Sequence, residues 1–389
     1  MLRRRKIMYV TTDLFIGGGA EGMLTRMVTA SPALADDITV VSLLPGESYA
    51  DRLRAAGIDL IQLDFGRAVG ILSGLVRLAK LIADHRPDIV QGWMYHGDLA
   101  ALVALAMSGR RRKTRLVWSI RCSDMDMRRY RRVVKVCALL SRSPDVVTVN
   151  SAAGLNTHVA LGYRPRRAEI VANGVDIDQF KPDPTARAAV RKELGIADDA
   201  FVVAHVARVD PMKDHATFLA ALPELEDLVA LMIGARTENL PERPNALRLG
   251  RRDDVARLLA AADLIVSSSA FGEGFSNVLA EGMACGLPAV ATDVGDARAI
   301  VGDAGLIVPP RDPRALAAAI RALAGEPPAW RIARGALARA HIVANFAMAR
   351  ALERYRDIYD SLEYFPDCAA PAPAAALATS PDRSPHPRT

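Results

Sequence analysis

Two glutamates with seven residues between them, Glu273 and Glu281, stand in Phe271-Gly272-Glu273-Gly274-Phe275-Ser276-Asn277-Val278-Leu279-Ala280-Glu281-Gly282, which runs on to Cys285-Gly286-Leu287-Pro288. Ionised carboxylates accept hydrogen bonds, so both suit sugar hydroxyls. At 1.5 Å rise per helical residue their spacing is at most ~12 Å, comparable to the sugar-to-ribose distance in a nucleotide sugar. Gly274 lets a chain turn closely. The amides of Phe275, Ser276 and Asn277, at the positive start of an expected helix, would face a diphosphate between the two acids.

Counter-charge is available in His205-Val206-Ala207-Arg208-Val209-Asp210-Pro211-Met212-Lys213. Arg208 and Lys213 follow the apolar run Phe201–Val206, so they should project from a strand's carboxyl end and stabilise a departing diphosphate. His96, in Trp93-Met94-Tyr95-His96, follows another strand-like run and could hydrogen-bond a sugar hydroxyl. The segment Gly17-Gly18-Gly19-Ala20-Glu21-Gly22 contains Gly-x-Gly-x-x-Gly and brings bare backbone near a phosphate or sugar. The dinucleotide fingerprint also needs an acid closing the second strand. Here that strand ends Leu43-Leu44-Pro45, which disfavours a nicotinamide enzyme. The Asp-x-Asp triplets at Asp124/Asp126 and Asp176/Asp178 come without further ligands, so no metal is expected.

Each feature alone has an ordinary explanation. A lone histidine is usually structural, two loop cations are usually solvated, and a glycine run is often only a turn. Their weight comes from their positions, which demand elements that end at one place. Short apolar runs at Lys6–Thr11, Ile38–Leu43, Ile89–Gln91, Arg115–Ile120 and Val146–Asn150 alternate with helical patterns. A second alternation has runs at Phe201–Val206, Ala230–Ile233, Leu264–Ser267 and Ala289–Thr292. This reads as α/β, two doubly wound Rossmann-like domains with parallel sheets and a cleft at their carboxyl ends. Turn formers across residues 164–187 suggest the linker. The expected organisation is a domain over 1–175, a second over 176–345, a closing helix over 346–365 and a disordered tail over 366–389. That last stretch has six prolines among Ala, Ser and Thr.

The chain has 389 residues and a net charge of +6, with 51% apolar residues. Residues 110–142 carry twelve Lys/Arg against Asp124 and Asp126. This basic segment belongs to no nucleic-acid motif, and its sharpest use is an anionic membrane surface or phosphate-bearing acceptor. Four scattered cysteines suggest a reducing compartment. No apolar run approaches ~20 residues. Together these point to a cytoplasmic protein, peripheral at most on the inner face of a membrane.

The Glu273…Glu281 block, the Arg208…Lys213 pair and the glycine-rich loop resemble the retaining family-4 glycosyltransferases (glycosyl transferases group 1) with the GT-B fold. Asn173-Gly174-Val175-Asp176 and Trp93-Met94-Tyr95-His96 are similar to the same family. The resemblance implies a metal-independent hexosyltransferase moving a sugar from a nucleotide donor to an acceptor hydroxyl, with retention. It implies Glu273 on the donor sugar, Glu281 on the ribose, and Arg208 and Lys213 on the diphosphate, helped by Gly274, Phe275, Ser276 and Asn277. His96 would lie near the transferred sugar, and Gly17 and Gly18 would approach from the other domain. It also implies a closing helix crossing back to the first domain. No cofactor is implied beyond a UDP- or GDP-sugar co-substrate, with a glycan or lipid-linked acceptor in surface polysaccharide or glycolipid synthesis. A sugar-nucleotide epimerase on the same fold and a non-catalytic sugar-binding subunit are the alternatives. Val294-Gly295-Asp296 departs from the family's usual double glycine and adds a carboxylate near the donor site.

Overall fold

A computed structural model describes residues 4–15, 19–30, 36–46, 48–66, 68–123 and 127–363. The first half runs β1 (Lys6–Thr11), α1 (Gly19–Thr29), β2 (Asp37–Ser42), α2 (Ser48–Ala55), β3 (Asp59–Gln62), α3 (Ala68–His85), β4 (Ile89–Trp93) and α4 (Met94–Met107). It continues with β5 (Arg115–Ile120), α5 (Met127–Leu140), β6 (Val146–Val149), α6 (Ala152–Ala160) and β7 (Ala168–Ile170). The second half has α7 (Pro184–Glu193), β8 (Phe201–Val206), α8 (His215–Ala221), β9 (Leu228–Ile233), β10 (Ala246–Gly250), α9 (Val255–Leu259), β11 (Leu264–Ser267) and α10 (Asn277–Ala284). It closes with β12 (Ala289–Thr292), α11 (Ala297–Val301), β13 (Gly305–Val308), α12 (Pro313–Ala324), α13 (Pro328–Phe346) and α14 (Met348–Glu363).

Both sheets are parallel throughout, in the orders β3-β2-β1-β4-β5-β6-β7 and β10-β9-β8-β11-β12-β13. The architecture is thus the expected pair of doubly wound Rossmann-like units. Each sheet reverses direction once, between β1 and β4 and between β8 and β11. At such a switch point the loops leaving the two central strands diverge to opposite faces and open a crevice. The glycine-rich segment follows β1, His96 follows β4, Arg208 and Lys213 follow β8, and Glu273 follows β11. Every candidate group therefore leaves one of the four strands that flank a switch point or, for Glu281, lies on the helix after one.

The central strands form because continuous β-branched and apolar runs bury both faces against helices. Val40, Val90, Leu116 and Val146 in the first sheet, and Val202, Ala204 and Ile265 in the second, are fully buried. The nine expected strands are all present to within two residues at each end. Four more were not expected: β3, β7, β10 and β13, the edge strands of the two sheets. They are short and half-exposed; no residue of β3 or β7 is buried, and only the last residue of β10 and of β13 is. An edge strand packs less side chain and leaves a weaker apolar signature. The turn-rich 164–187 stretch accordingly contains β7, and the connection proper begins after Ile170.

The helix expected from Phe346 starts at Met348, because Ala347 is extended (φ −59°, ψ 148°) and ends α13. Tyr355, Ile358, Tyr359 and Leu362 of α14 join Ile7, Tyr9 and Trp93 in one core, so this helix returns to the first sheet. Both passages between the lobes touch: Val175 N donates to Phe346 O and Met348 N to Val175 O, each at 2.8 Å. Gly174 is required there, since a Cβ would stand 2.7 Å from the Met348 Cα. The expected tail over 366–389, Gly17, Gly18, Asp124 and Asp126 lie outside the described residues.

Candidate active site

Lys213 is presented by a turn capped at both ends. The Asp210 carboxylate accepts from Met212 N at 3.0 Å, and Asp214, in the left-handed region at φ +47°, caps α8 through Thr217 N at 3.1 Å. Behind the turn, Ser268 Oγ donates to Lys213 O at 2.9 Å and meets His205 Nε2 at 2.9 Å. Burial, with His215 and Lys213 adding to it, pushes the His205 imidazole well below its usual range, so it is neutral. The ammonium is aimed at the opposite loop, where Lys213 Nζ pairs with Glu273 Oε1 and Ser269 Oγ donates to the same oxygen at 2.8 Å. Lys213 is thus committed to Glu273 in this structure. Their side chains are only 20% and 10% exposed, so the pair sits in a desolvated environment where charge acts strongly. A small cavity lined by Lys213, Ser268, Ser269 and Ser276 lies beside them.

The Glu273 loop is held by close backbone approaches. A Cβ on Gly295, at φ +63°, would fall 2.3 Å from the Glu273 carbonyl oxygen, so glycine is obligatory there. A Cβ on Gly274 would meet the Asn150 Oδ1 at 2.7 Å, across from the first lobe. Ser123 Oγ, also of the first lobe, donates to Glu273 O. Asp296 does not add free negative charge at the donor position, as its place in the sequence suggested. Its carboxylate accepts from Ala152 N at 2.9 Å and Ala153 N at 3.1 Å, the first amides of α6 in the other lobe. A helix start offers unpaired donors and a positive end, so the acid is drawn there.

α10 begins at Asn277, two residues later than expected, with Phe275 and Ser276 in the preceding turn. Ser276 makes no side-chain cap, which leaves its helix's first amides for another acceptor. Glu281 lies on α10 with Oε1 3.5 Å from Arg26 Nη1 of α1. Burial pushes its carboxyl up to about 7; Arg26 pulls the other way but does not offset the lost hydration. Gly19, the first residue of α1, faces α10, its Cβ position being 3.4 Å from Asn277 Nδ2. Arg208 is half-exposed and pairs with Asp210 at 3.3 Å. His96 occupies the first turn of α4, exposed, with its ring edge against Tyr130 at 6.0 Å.

The structure therefore gathers Lys213, Glu273, Ser276, Asn277 and Glu281 around the start of α10. Three neighbours had no local signal: Arg26, Ser269, and Glu21, whose carboxyl is raised by burial and Asp13 and lowered by Arg208. Each has ordinary spacing in its own segment and acquires meaning from what it faces. Among the described residues no group of three His, Cys, Asp or Glu could hold a metal ion. Asp176 instead accepts from Asp178 N and Gln179 N in a turn. Among the described residues Cys122, Cys137 and Cys285 form no disulfide. A groove of about 810 Å³ lies at the other end of α10, by Cys285 and Gly286, away from these groups.

Residues 17–179 match the Glycosyltransferase Family 4 model and residues 200–326 match Glycosyl transferases group 1. The D-inositol 3-phosphate glycosyltransferase of Kribbella flavida is 35% identical over 191 residues, 43% of this chain and 45% of the relative. That of Geodermatophilus obscurus is 38% identical over 202 residues, 45% of this chain and 44% of the relative. The chain thus spans about half the length of the curated relatives it matches. Anabaena Alr3699/HepE in complex with UDP superposes with a TM-score of 0.80 at 21% identity, covering 92% of this chain and 100% of that one. Sucrose-phosphate synthase from Thermosynechococcus elongatus gives 0.75 at 18% identity, over 92% and 99%. These two likenesses speak for the fold, which is GT-B. Residues 17–179 thus belong to the Glycosyltransferase Family 4 and residues 200–326 to the Glycosyl transferases group 1.

Proposed function

We propose that the protein transfers a sugar from a nucleotide-sugar donor to an acceptor hydroxyl with retention of configuration and without a metal. The observation that carries this reading is the desolvated Lys213–Glu273 pair beside the open start of α10, at the carboxyl ends of β8 and β11. With donor bound, the diphosphate takes the α10 amides and the Lys213 and Arg208 cations. Glu273 then accepts from hydroxyls of the sugar, and Glu281 from those of the ribose. The anomeric carbon–oxygen bond to the diphosphate breaks, and the acceptor oxygen bonds to the same face. The acceptor's proton passes to the departing phosphate oxygen, so no separate carboxylate base is needed. Cations and helix amides supply the counter-charge a metal would otherwise bring. His96, in the first turn of α4, borders the sugar from the first lobe, and Gly17 and Gly18 are proposed to contact the donor.

Structures of the HepE neighbour hold UDP, UDP with glucose, and UDP-glucose, which favours a uridine donor here. A thermal-shift panel of UDP, GDP and ADP and their sugars tests the reading. At a hundredfold excess over Kd, binding is worth ~2.7 kcal/mol and raises Tm by about 3 °C for a chain of this length. The same rise is expected in EDTA. No shift with any nucleoside diphosphate would refute the reading, and conversion of donor alone into an epimer would favour an epimerase.

The acceptor is proposed to be lipid-linked, approached through α5. Arg131, Arg132 and Lys135 are exposed there beside Val136 and Leu139, the latter 83% exposed. Elsewhere in the basic 110–142 segment Arg121 is buried and Arg111 and Arg115 pair with Asp145, whereas Arg112, Lys113 and Arg142 are exposed and add to the positive charge near this helix. No helix among the described residues is long and apolar enough to cross a membrane, so the contact proposed is superficial. Vesicles rich in phosphatidylglycerol should co-sediment the protein at low salt. Binding should fall several-fold at 0.5 M salt and with Leu139→Glu. Equal binding to neutral vesicles would count against it.

A further inference from the structure

Arg121 stands at the carboxyl end of β5, buried, and among the described residues no carboxylate forms an ion pair with it. Its guanidinium lies 4.6 Å from the Trp93 ring centre and 5.5 Å from that of Tyr355. Nη1 donates to Val171 O at 2.8 Å and to the Asn173 side chain at 3.3 Å. A guanidinium has donors only, so the Asn173 atom that faces it must be the carbonyl oxygen Oδ1. That choice decides the next one. Asn173, 3% exposed, must then present Nδ2 to Asn277, whose facing atom has to be the acceptor Oδ1, and the two lie 2.8 Å apart. Flipping either amide alone would set two NH₂ groups or two oxygens against each other at a part-buried contact.

The outcome appears at the far end. With Oδ1 occupied, the Asn277 NH₂ group points towards Gly19, into the slot between the start of α1 and the start of α10. The same stack of rings ties down the other wall of that slot, since Trp93 Nε1 donates to Ala20 O at 2.9 Å. A cation in the first lobe thus sets the polarity of a side chain in the second, through one amide in the connection between them.

We infer that Arg121 and Asn173 are positioning residues that hold the Asn277 carboxamide as a hydrogen-bond donor to the anionic group bound at the start of α10. This rests on the donor-site reading above, under which that group is the nucleotide's diphosphate. The opposite orientation would offer the diphosphate a carbonyl oxygen, a repulsive contact. Neither residue touches the ligand; both act through Asn277.

Calorimetric titration separates this from a structural role. The ligands are the nucleoside diphosphate selected by the thermal-shift panel and its parent nucleoside, which lacks phosphate. Asn173→Asp still accepts from Arg121 but cannot donate to Asn277, so the Asn277 amide is expected to turn over. The diphosphate should then bind at least tenfold more weakly, while the nucleoside keeps its Kd within twofold. Asn277→Asp should lose as much, and the double variant no more than either single one, as expected for residues in one chain of contacts. If Asn173→Asp does not fold, Arg121→Gln carries the test, because its amide can present either end to Asn173 and releases the choice. Unchanged diphosphate binding in the variants, or an equal loss for diphosphate and nucleoside, would overturn the inference. Failure of the unmodified protein to bind any nucleoside diphosphate would instead bring down the donor-site reading and the relay's function with it.

Discussion

Lys213→Ala is expected to lower kcat/KM for the donor by roughly 10²–10³-fold, about 3–4 kcal/mol of transition-state stabilisation. Charge on the departing diphosphate grows as the glycosidic bond breaks, and a fixed ammonium in a desolvated site answers it without reorganisation. The variant should also melt lower. Glu273 loses its cation while remaining about nine-tenths buried, and breaking a buried pair from one side costs about 3–5 kcal/mol. The two effects can be separated. Lys213→Ala combined with Glu273→Gln removes the stranded charge and keeps an oxygen for the Ser269 hydroxyl, so it should recover most of the melting temperature. It should recover none of the turnover. Initial rates and thermal melts of the two single variants and the double variant check this; undiminished kcat/KM in Lys213→Ala would exclude the proposed role.

The second large effect is in pH. The Glu281 carboxyl, raised by burial to about 7 against an ordinary 4.5, holds its proton in the folded, empty protein over a range where the unfolded chain has lost it. The folded state therefore binds more protons between those values. The associated stability is complete below about 4.5 and is lost as pH rises through about 7. Binding runs the other way, because the ribose hydroxyls want the ionised acceptor. Between pH 6 and pH 8 the ionised fraction rises about tenfold, and donor KM should fall by about the same factor. Glu281→Gln should flatten both trends, raise donor KM at pH 8, and leave the protein relatively more stable there. Donor KM and Tm measured at several pH values decide it. A KM profile with the same slope in both proteins would remove Glu281 from the ribose.

The legibility of this chain follows its contacts. Val146–Val149 and Phe201–Val206 are buried on both sides, so an uninterrupted apolar run announced each of them. Asp59–Gln62 and Ala246–Gly250 have a neighbour on one side only, and their mixed composition resembles a loop. Glu273, Glu281, Arg208 and Lys213 could be picked out because each follows or rides on an element readable in its own window. Once the β8/β11 switch point exists, the ends of those windows must meet.

The amino-acid order alone determined two doubly wound halves and the side chains brought to the mouth of each, since strand and helix patterns and the loops after them are local properties. Only the docking of the lobes decided the partners: Arg26 against Glu281, Ser123 on the Glu273 carbonyl, the Asp296 carboxylate on the first amides of α6, 144 residues away. Those choices are made by unpaired donors and buried charges searching for the nearest complement, and proximity between distant segments exists only after both sheets have formed and α14 has drawn them together.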